Sequence, residues 1–387
     1  MMEIAKTEFD TSVALSDTLI DNLTQKAIAL DCVDLCINVG KPVFIQKGGK
    51  IIEISKGNLS LNSAEQFCLR FLKGKESLLA NAKKAEPVFS QYRFINPNDA
   101  KDIRVFRVCI MTQHTLEHGK SLTMTSRLEP VAPKSGRELG IEGELVDAVM
   151  NNFTGVGLFV GGTGQGKTVS LAGIVVDIIT TKNANKKIMV FSDPIEIYYD
   201  AIDSDPTCSV PHHEVGPVSA DGDVTTFEQG IYAALRFHPN ICIQGEVRDK
   251  SAILSAIQFA NTGHFLLATL HANTCASAVS RIYNQIDGED KFSVFMSFLA
   301  QLKFVVAQRL LTSKSGDLFS VREILFLNDE ELKKSLQKCS SASEIEQLIT
   351  NYMDARKTTL GHKLKSLLDA GEITPDEFRR NIGDCNL

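Results

Sequence analysis

The sequence predicts an α/β fold in two parts, a small α+β domain and then a mostly parallel sheet wrapped by helices. Three observations carry this expectation. Short alternating apolar runs occupy residues 33 to 127, whereas from Glu138 apolar runs alternate with helical stretches. Pro130 and Pro133, followed by Lys134-Ser135-Gly136, separate the two rhythms as a linker. The octapeptide Gly161–Thr168 follows the apolar run Val156–Val160 and precedes a helical segment, the setting of a phosphate-binding turn.

In chain order, Leu19, Leu23, Ala27 and Leu30 share one face of a helix over 16–31, with Ser16 as its N-cap. Val33, Leu35, Ile37 and Val39 alternate as a strand. Pro42–Ile45 and Ile51–Ile54 flank the Lys47-Gly48-Gly49-Lys50 turn of a hairpin, and strand signal returns at 103–112 and 121–127. In the second part, strands read at 156–160, 187–192, 240–246 and 264–270. From Asp329 the chain is charged and helical, over 329–334, 344–353 and 362–368. The expected domains are 1–133, 134–328 and a helical C-terminal extension, 329–387.

Composition narrows the function classes. A net charge of −6 over 387 residues argues against nucleic-acid binding, which needs concentrated positive charge. The nine cysteines are scattered without a C-x-x-C pair, so they read as reduced thiols that pack as small apolar residues. The N-terminal Met1–Thr7 has no apolar signal core, and the longest apolar stretch, 293–311, is interrupted by Gln301, Lys303, Gln308 and Arg309. No direct membrane insertion is expected, and any membrane association would pass through a partner.

Gly161-Gly162-Thr163-Gly164-Gln165-Gly166-Lys167-Thr168 fits G-x-x-x-x-G-K-[ST] at every fixed position. The glycines let the backbone turn and aim N–H groups at a β-phosphate, while the following helix presents its positive end to the same anion. Lys167 neutralises β and γ oxygens, and the Thr168 hydroxyl takes one Mg²⁺ position. ATP and Mg are the expected cofactors. Ser192-Asp193-Pro194-Ile195-Glu196 and Gly245-Glu246-Val247-Arg248-Asp249 end the next two strands, which sets Glu196 and Glu246 at the carboxyl edge beside the loop. Glu246 stands where a Walker B acid holds Mg²⁺ through water. Thr262-Gly263-His264 and Thr269-Leu270-His271 bracket a further strand; His271 at its exit can sense a γ-phosphate, while His264 reads equally as a structural histidine. His212 and His213 read as solvated loop residues.

In their order and spacing these motifs resemble the secretion ATPase superfamily that powers type II secretion, type IV pili and type IV secretion. The resemblance spans about residues 15–328. Val33-Asp34-Leu35, Gly40-Lys41-Pro42-Val43 and the Gly-Gly hairpin look like its PAS-like N-terminal domain, joined to a RecA-like P-loop ATPase domain. Within the superfamily the chain is most similar to the PilT-like branch, which includes the retraction ATPases and the type IVB secretion and conjugation ATPases DotB and TraJ.

This resemblance implies a homo-hexameric ring with ATP between the two domains, docked in the cytoplasm on an inner-membrane component of a secretion or pilus machine. It implies that Glu196 positions or activates the attacking water, that Glu246 acts on Mg²⁺ and water, and that His271 couples phosphate state to movement. Arg107 and Arg127 match the N-terminal arginines that reach the phosphates. Tyr232 stands where retraction ATPases carry Arg, Asn240 replaces an acid, the tetracysteine module of the type II branch is absent, and the C-terminal motif is altered to Glu344-Ile345-Glu346-Gln347-Leu348-Ile349. The reading that follows is a motor whose hydrolysis drives domain rotation for type IVB secretion or conjugative transfer, with pilus retraction as the alternative. A DNA translocase or helicase, and a non-cycling nucleotide-sensing adaptor, are the competitors from other classes.

Overall fold

The computed structural model describes residues 9–12, 14–129, 133–152, 154–216 and 222–383. Met1–Thr7, Pro130 and Cys385 lie outside these residues. The chain divides into two compact units, Met1–Val131 and Ala132–Leu387.

The first unit runs α1 (Asp17–Ala29), β1 (Asp34–Asn38), β2 (Phe44–Lys47), β3 (Lys50–Glu53), α2 (Leu61–Phe71), α3 (Glu76–Lys83), β4 (Val88–Asn96), β5 (Asp99–Thr115) and β6 (Gly119–Leu128). Ser16 caps α1 by accepting from the Leu19 N–H, and β2 and β3 pair through Lys47 and Lys50 across the expected Gly-Gly turn. The strands form one sheet in the order β3-β2-β1-β6-β5-β4, antiparallel at every junction. Alternation along β4 and β5 turns Tyr92, Phe94, Phe106 and Val108 into a core shared with Phe67 and Phe71 of α2. Phe71 stacks on Tyr92 at 4.3 Å between ring centroids. Each such ring contributes about 1.5–3 kcal/mol by leaving water. Helices α2 and α3 and strand β4 occupy a stretch where the sequence pattern predicts no element.

The second unit runs α4 (Gly143–Asn151), β7 (Gly155–Val160), α5 (Lys167–Thr180), β8 (Ile188–Ser192), β9 (His212–Glu214), α6 (Phe227–Phe237), β10 (Ile241–Gln244), α7 (Lys250–Asn261), β11 (Phe265–Leu270), α8 (Cys275–Gln285), α9 (Lys291–Gln301), β12 (Leu302–Thr312), β13 (Leu318–Phe326), α10 (Glu330–Leu336), α11 (Ala342–Asp354), α12 (Leu360–Asp369) and α13 (Pro375–Ile382). Its sheet has the order β13-β12-β7-β11-β10-β8-β9. Every junction from β12 to β9 is parallel, and β13 alone runs antiparallel at its edge.

Both faces of this sheet are covered, so its central strands β7, β8, β10 and β11 are nearly continuous apolar runs. Val156, Leu158 and Val160 of β7 face a core built with α6–α9, whereas Phe159 faces the layer made by α4 and α5. The apolar stretch 293–311 is two elements: α9 passes into β12 at Gln301/Leu302 with no glycine or proline between them. His212 and His213, expected as solvated loop residues, form the edge strand β9 paired with β8. The His213 ring stacks on Phe191 at 5.3 Å, and the His212 ring packs tilted against Tyr199 at 5.7 Å.

The C-terminal helices close the same core. Leu332, Leu336, Ile345, Ile349, Met353 and Leu360 join the cluster that contains Val156 and Leu158. Glu323 of β13, only 2% exposed, accepts from the Cys275 N–H at 2.5 Å and the Leu360 N–H at 2.6 Å. One buried carboxylate thereby serves the first turns of both α8 and α12, where free N–H groups and the helix dipole favour negative charge.

Candidate nucleotide-binding site

Strands β7, β8, β10 and β11 run parallel, so their carboxyl ends emerge along one edge of the sheet. Each is followed there by a segment singled out from the sequence: Gly161–Thr168 after β7, Asp193–Glu196 after β8, Gly245–Asp249 after β10 and His271 after β11. Such an edge is where open parallel sheets bind ligands.

The loop's glycines have specific reasons. A side chain at Gly161 would put its Cβ 2.8 Å from the Gln308 carbonyl oxygen, and Gly166, the residue capping α5, has φ of +76°. Lys167 begins α5 and is 8% exposed. Its Nζ donates to the carbonyls of Gly161 at 2.8 Å and Gly162 at 2.9 Å. Burial pushes its ammonium pKa down, and the charge of Glu246 opposes that shift. The exposed Thr168 follows in the first turn of α5.

Glu246 joins two strand exits. Its carboxylate lies 2.7 Å from Arg248 Nε and 3.7 Å from His271 Nε2. Thr269 fixes the backbone beneath it: the hydroxyl donates to the Gly245 carbonyl, and its own carbonyl accepts from the Val247 N–H at 2.9 Å. Arg248 also feels the charge of Asp193, and its pairing with Glu246 raises its pKa. Asp249 caps α7 through the Ala252 N–H at 2.9 Å. The histidines divide. His271 borders an open cavity of about 660 Å³ together with Gly162, Asn273, Ser280, Arg281 and Asn284, whereas His264 precedes β11 at the opposite edge of the sheet and stacks on Phe259 at 4.7 Å.

Arg107 and Arg127 belong to the first unit, where they face each other across the β5–β6 ladder. Arg127 makes a two-point pair with Asp34, at 2.9 and 3.1 Å, and Arg107 Nε lies 3.2 Å from Glu129. Asn240 holds the Lys187 N–H at 2.7 Å, and the Arg236 guanidinium packs over the Tyr232 ring at 5.2 Å. Among the described residues no group of three or more His, Cys, Asp or Glu side chains could hold a metal. A magnesium ion fits on other terms, because it is commonly held by one carboxylate or hydroxyl with phosphate and water supplying the rest, and Thr168 and Glu246 offer that set.

Sequence reasoning passed over Gln308 and Arg322. Gln308, 2% exposed, donates through Nε2 to the Gln165 carbonyl at 2.7 Å. Its Oε1 accepts from Ser170 Oγ and Arg322 Nε, each at 2.7 Å. No motif signals these contacts, since the partners come from distant parts of the chain.

A glycine-rich turn between a parallel strand and a helix, with acidic side chains at neighbouring strand ends, defines a phosphate-loop nucleotide-binding protein. More particularly, the chain belongs to the Type II/IV secretion system protein family, whose profile matches residues 137–352, and to its PilT-like branch. It is 28% identical over 354 residues to the Type IV pilus ATPase PilU of Pseudomonas aeruginosa, covering 91% of this chain and 86% of that one. Identity to the retraction ATPase PilT of the same organism is 26% over 346 residues, 89% and 93% of the two chains. Among solved structures, the Legionella pneumophila ATPase DotB superposes with a TM-score of 0.80 at 22% identity over 96% and 97% of the two chains. The pilus retraction motor PilT with bound ADP gives 0.78 at 22% identity over 94% and 97%. These likenesses give the same fold, an N-terminal domain with a RecA-like ATPase domain.

Proposed function

We propose that this chain is an ATPase motor that assembles as a homo-hexamer and turns ATP hydrolysis into rotation of its two units against each other. The observation that carries the reading is the meeting of Lys167, Glu246 and His271 at one sheet edge, where Glu246 acts on the charge of Lys167 and lies 3.7 Å from His271. Support also comes from relatives named as ATPases along nearly their whole length.

In this mechanism the N–H groups of Gly162–Thr168 grip the β-phosphate and Lys167 spans the β and γ oxygens. Magnesium, when bound, neutralises phosphate charge; Thr168 would hold it directly and Glu246 through water. Glu196 orients the attacking water and takes its proton. His271 links the γ-phosphate position to α8, which begins four residues later. Arg107 and Arg127 supply positive charge to the phosphates when the domains close, so catalysis waits on motion. Asp34 and Glu129 hold both guanidinium groups until then.

The machine we propose is a type IVB secretion or conjugative transfer apparatus. The chain would work in the cytoplasm, bound to an inner-membrane component. Among the described residues no helix is long and apolar enough to cross a membrane. Pilus retraction is the second reading, favoured by the alignments with PilU and PilT.

Phosphate release from Mg·ATP by the purified protein tests the enzyme, and light-scattering mass with and without nucleotide tests the ring. A chain that binds ATP without releasing phosphate would be a sensor, and turnover that rises steeply with single-stranded DNA would make it a translocase.

A further inference from the structure

We infer that Gln308, oriented by the buried Arg322, is a positioning residue that aims the Gly166 N–H at the bound phosphate. This rests on the nucleotide-binding reading above and adds to it a side chain from β12, outside the loop motif.

The amide orientation follows from what each neighbour can do. Arg322 Nε can only donate, so the group facing it at 2.7 Å is the Gln308 oxygen. Ser170 Oγ donates to that same oxygen at 2.7 Å. The amide nitrogen is thereby turned toward the loop, where it donates to the Gln165 carbonyl at 2.7 Å. A trans peptide points its C=O and the next N–H in opposite directions. Holding the Gln165 carbonyl back against β12 therefore sends the Gly166 N–H the other way, into the turn where a phosphate is gripped. A second tether acts on the same residue, since Gln165 Oε1 accepts from the Leu310 N–H at 2.7 Å. Contact is close: a Cβ on Gly166 would lie 3.1 Å from Gln308 Nε2.

Arg322 is built to hold this orientation. Its side chain is 1% exposed and its nearest carboxylate, Glu142, stands 3.5 Å away. The remaining N–H groups are spent on main-chain and hydroxyl oxygens: Gly140 O at 3.0 Å, Leu139 O at 3.4 Å and Ser320 Oγ at 2.5 Å. A buried guanidinium satisfied this completely has little freedom, and neither has the amide it fixes.

Gln308→Glu is the informative variant. It keeps an acceptor for Arg322 and Ser170 but replaces the donor at Gln165 with a carboxylate oxygen. The affinity for Mg·ADP, measured by calorimetry on the full chain, should fall about tenfold or more, the size of one lost hydrogen bond plus a repulsive contact. The KM for ATP should rise by a similar factor while turnover at saturating ATP falls less, and the nucleotide-free chain should still melt in one cooperative transition. Gln308→Met, uncharged and similar in volume, should weaken Mg·ADP in the same direction. Unchanged affinity in a folded variant, a parallel fall of turnover and melting temperature, or failure of both variants to fold would each overturn the inference. A wild-type chain that does not bind Mg·ADP would instead sink the nucleotide reading itself.

Discussion

His271 Nε2 stands 3.7 Å from Glu246 Oε1, a contact that joins the exits of β10 and β11. Because His271 borders the cavity beside Gly162 and precedes α8, its proposed work concerns the γ-phosphate more than the diphosphate. His271→Ala should therefore lower turnover about tenfold to a hundredfold, the size of one lost hydrogen bond to a charged group. Mg·ADP affinity should change little. An equal loss of ADP binding would place the ring in the diphosphate grip instead.

Lys167 holds its own loop by two carbonyl contacts, at 2.8 and 2.9 Å. Replacing it with alanine should cost about 10²–10³ in turnover, as for other preorganised charge-stabilising donors. Circular dichroism should report an intact fold. Undiminished phosphate release from Lys167→Ala would reject the site.

Glu196 lies four residues past the end of β8. In Glu196→Gln, ATP binding should persist while hydrolysis slows by about 10²–10⁴, the usual contribution of a general base. Weakened ATP affinity at normal turnover would reassign the residue to binding.

Arg127 is half-exposed but its partner Asp34 is 6% exposed, so removing the guanidinium strands a carboxylate in the sheet. Arg127→Ala should destabilise the first unit by about 1–3 kcal/mol, and Arg127→Lys by less. Chemical denaturation reads this directly. If alanine leaves stability unaltered while abolishing hydrolysis in the assembled protein, the arginine serves phosphate alone.

Burial pushes the His212 imidazole down to about 4, while Ser192 Oγ sits 2.9 Å from its Nε2. A depressed histidine pKa means that the unfolded chain takes up a proton that the folded chain refuses. Its stabilising contribution is present above the unfolded pKa near 6.5 and lost as pH falls toward 4, by about 1–2 kcal/mol at pH 5. His212→Gln should flatten that part of the profile in urea titrations at pH 7 and pH 5. An equally steep fall in the variant would assign the acid sensitivity elsewhere.

The strand-loop-helix turn at Gly161–Thr168 was legible because its residues are contiguous and its glycines answer local demands of backbone and space. The strand exits were legible too, because apolar runs end abruptly in Ser192-Asp193-Pro194 and Gln244-Gly245-Glu246. What escaped depends on long-range packing. Gln308 and Arg322 reach the loop and α5 from 138 or more positions away. Strand β9 is three residues long and owes its place to pairing with β8. Strand β12 hid in an apolar run because α9 feeds it without punctuation. Ile51–Ile54 and Asp329–Lys334 were easier, since a turn or a cap marks where each begins.

Glu323 makes shortening the chain after β13 more than the removal of a tail. Without the Leu360 N–H the carboxylate would keep one of its two helix partners, and the apolar wall formed by Ile345, Ile349 and Met353 would be stripped from the layer behind β7. Expression fragments that stop near residue 328 should consequently come out insoluble, and the smallest piece worth crystallising retains its last four helices.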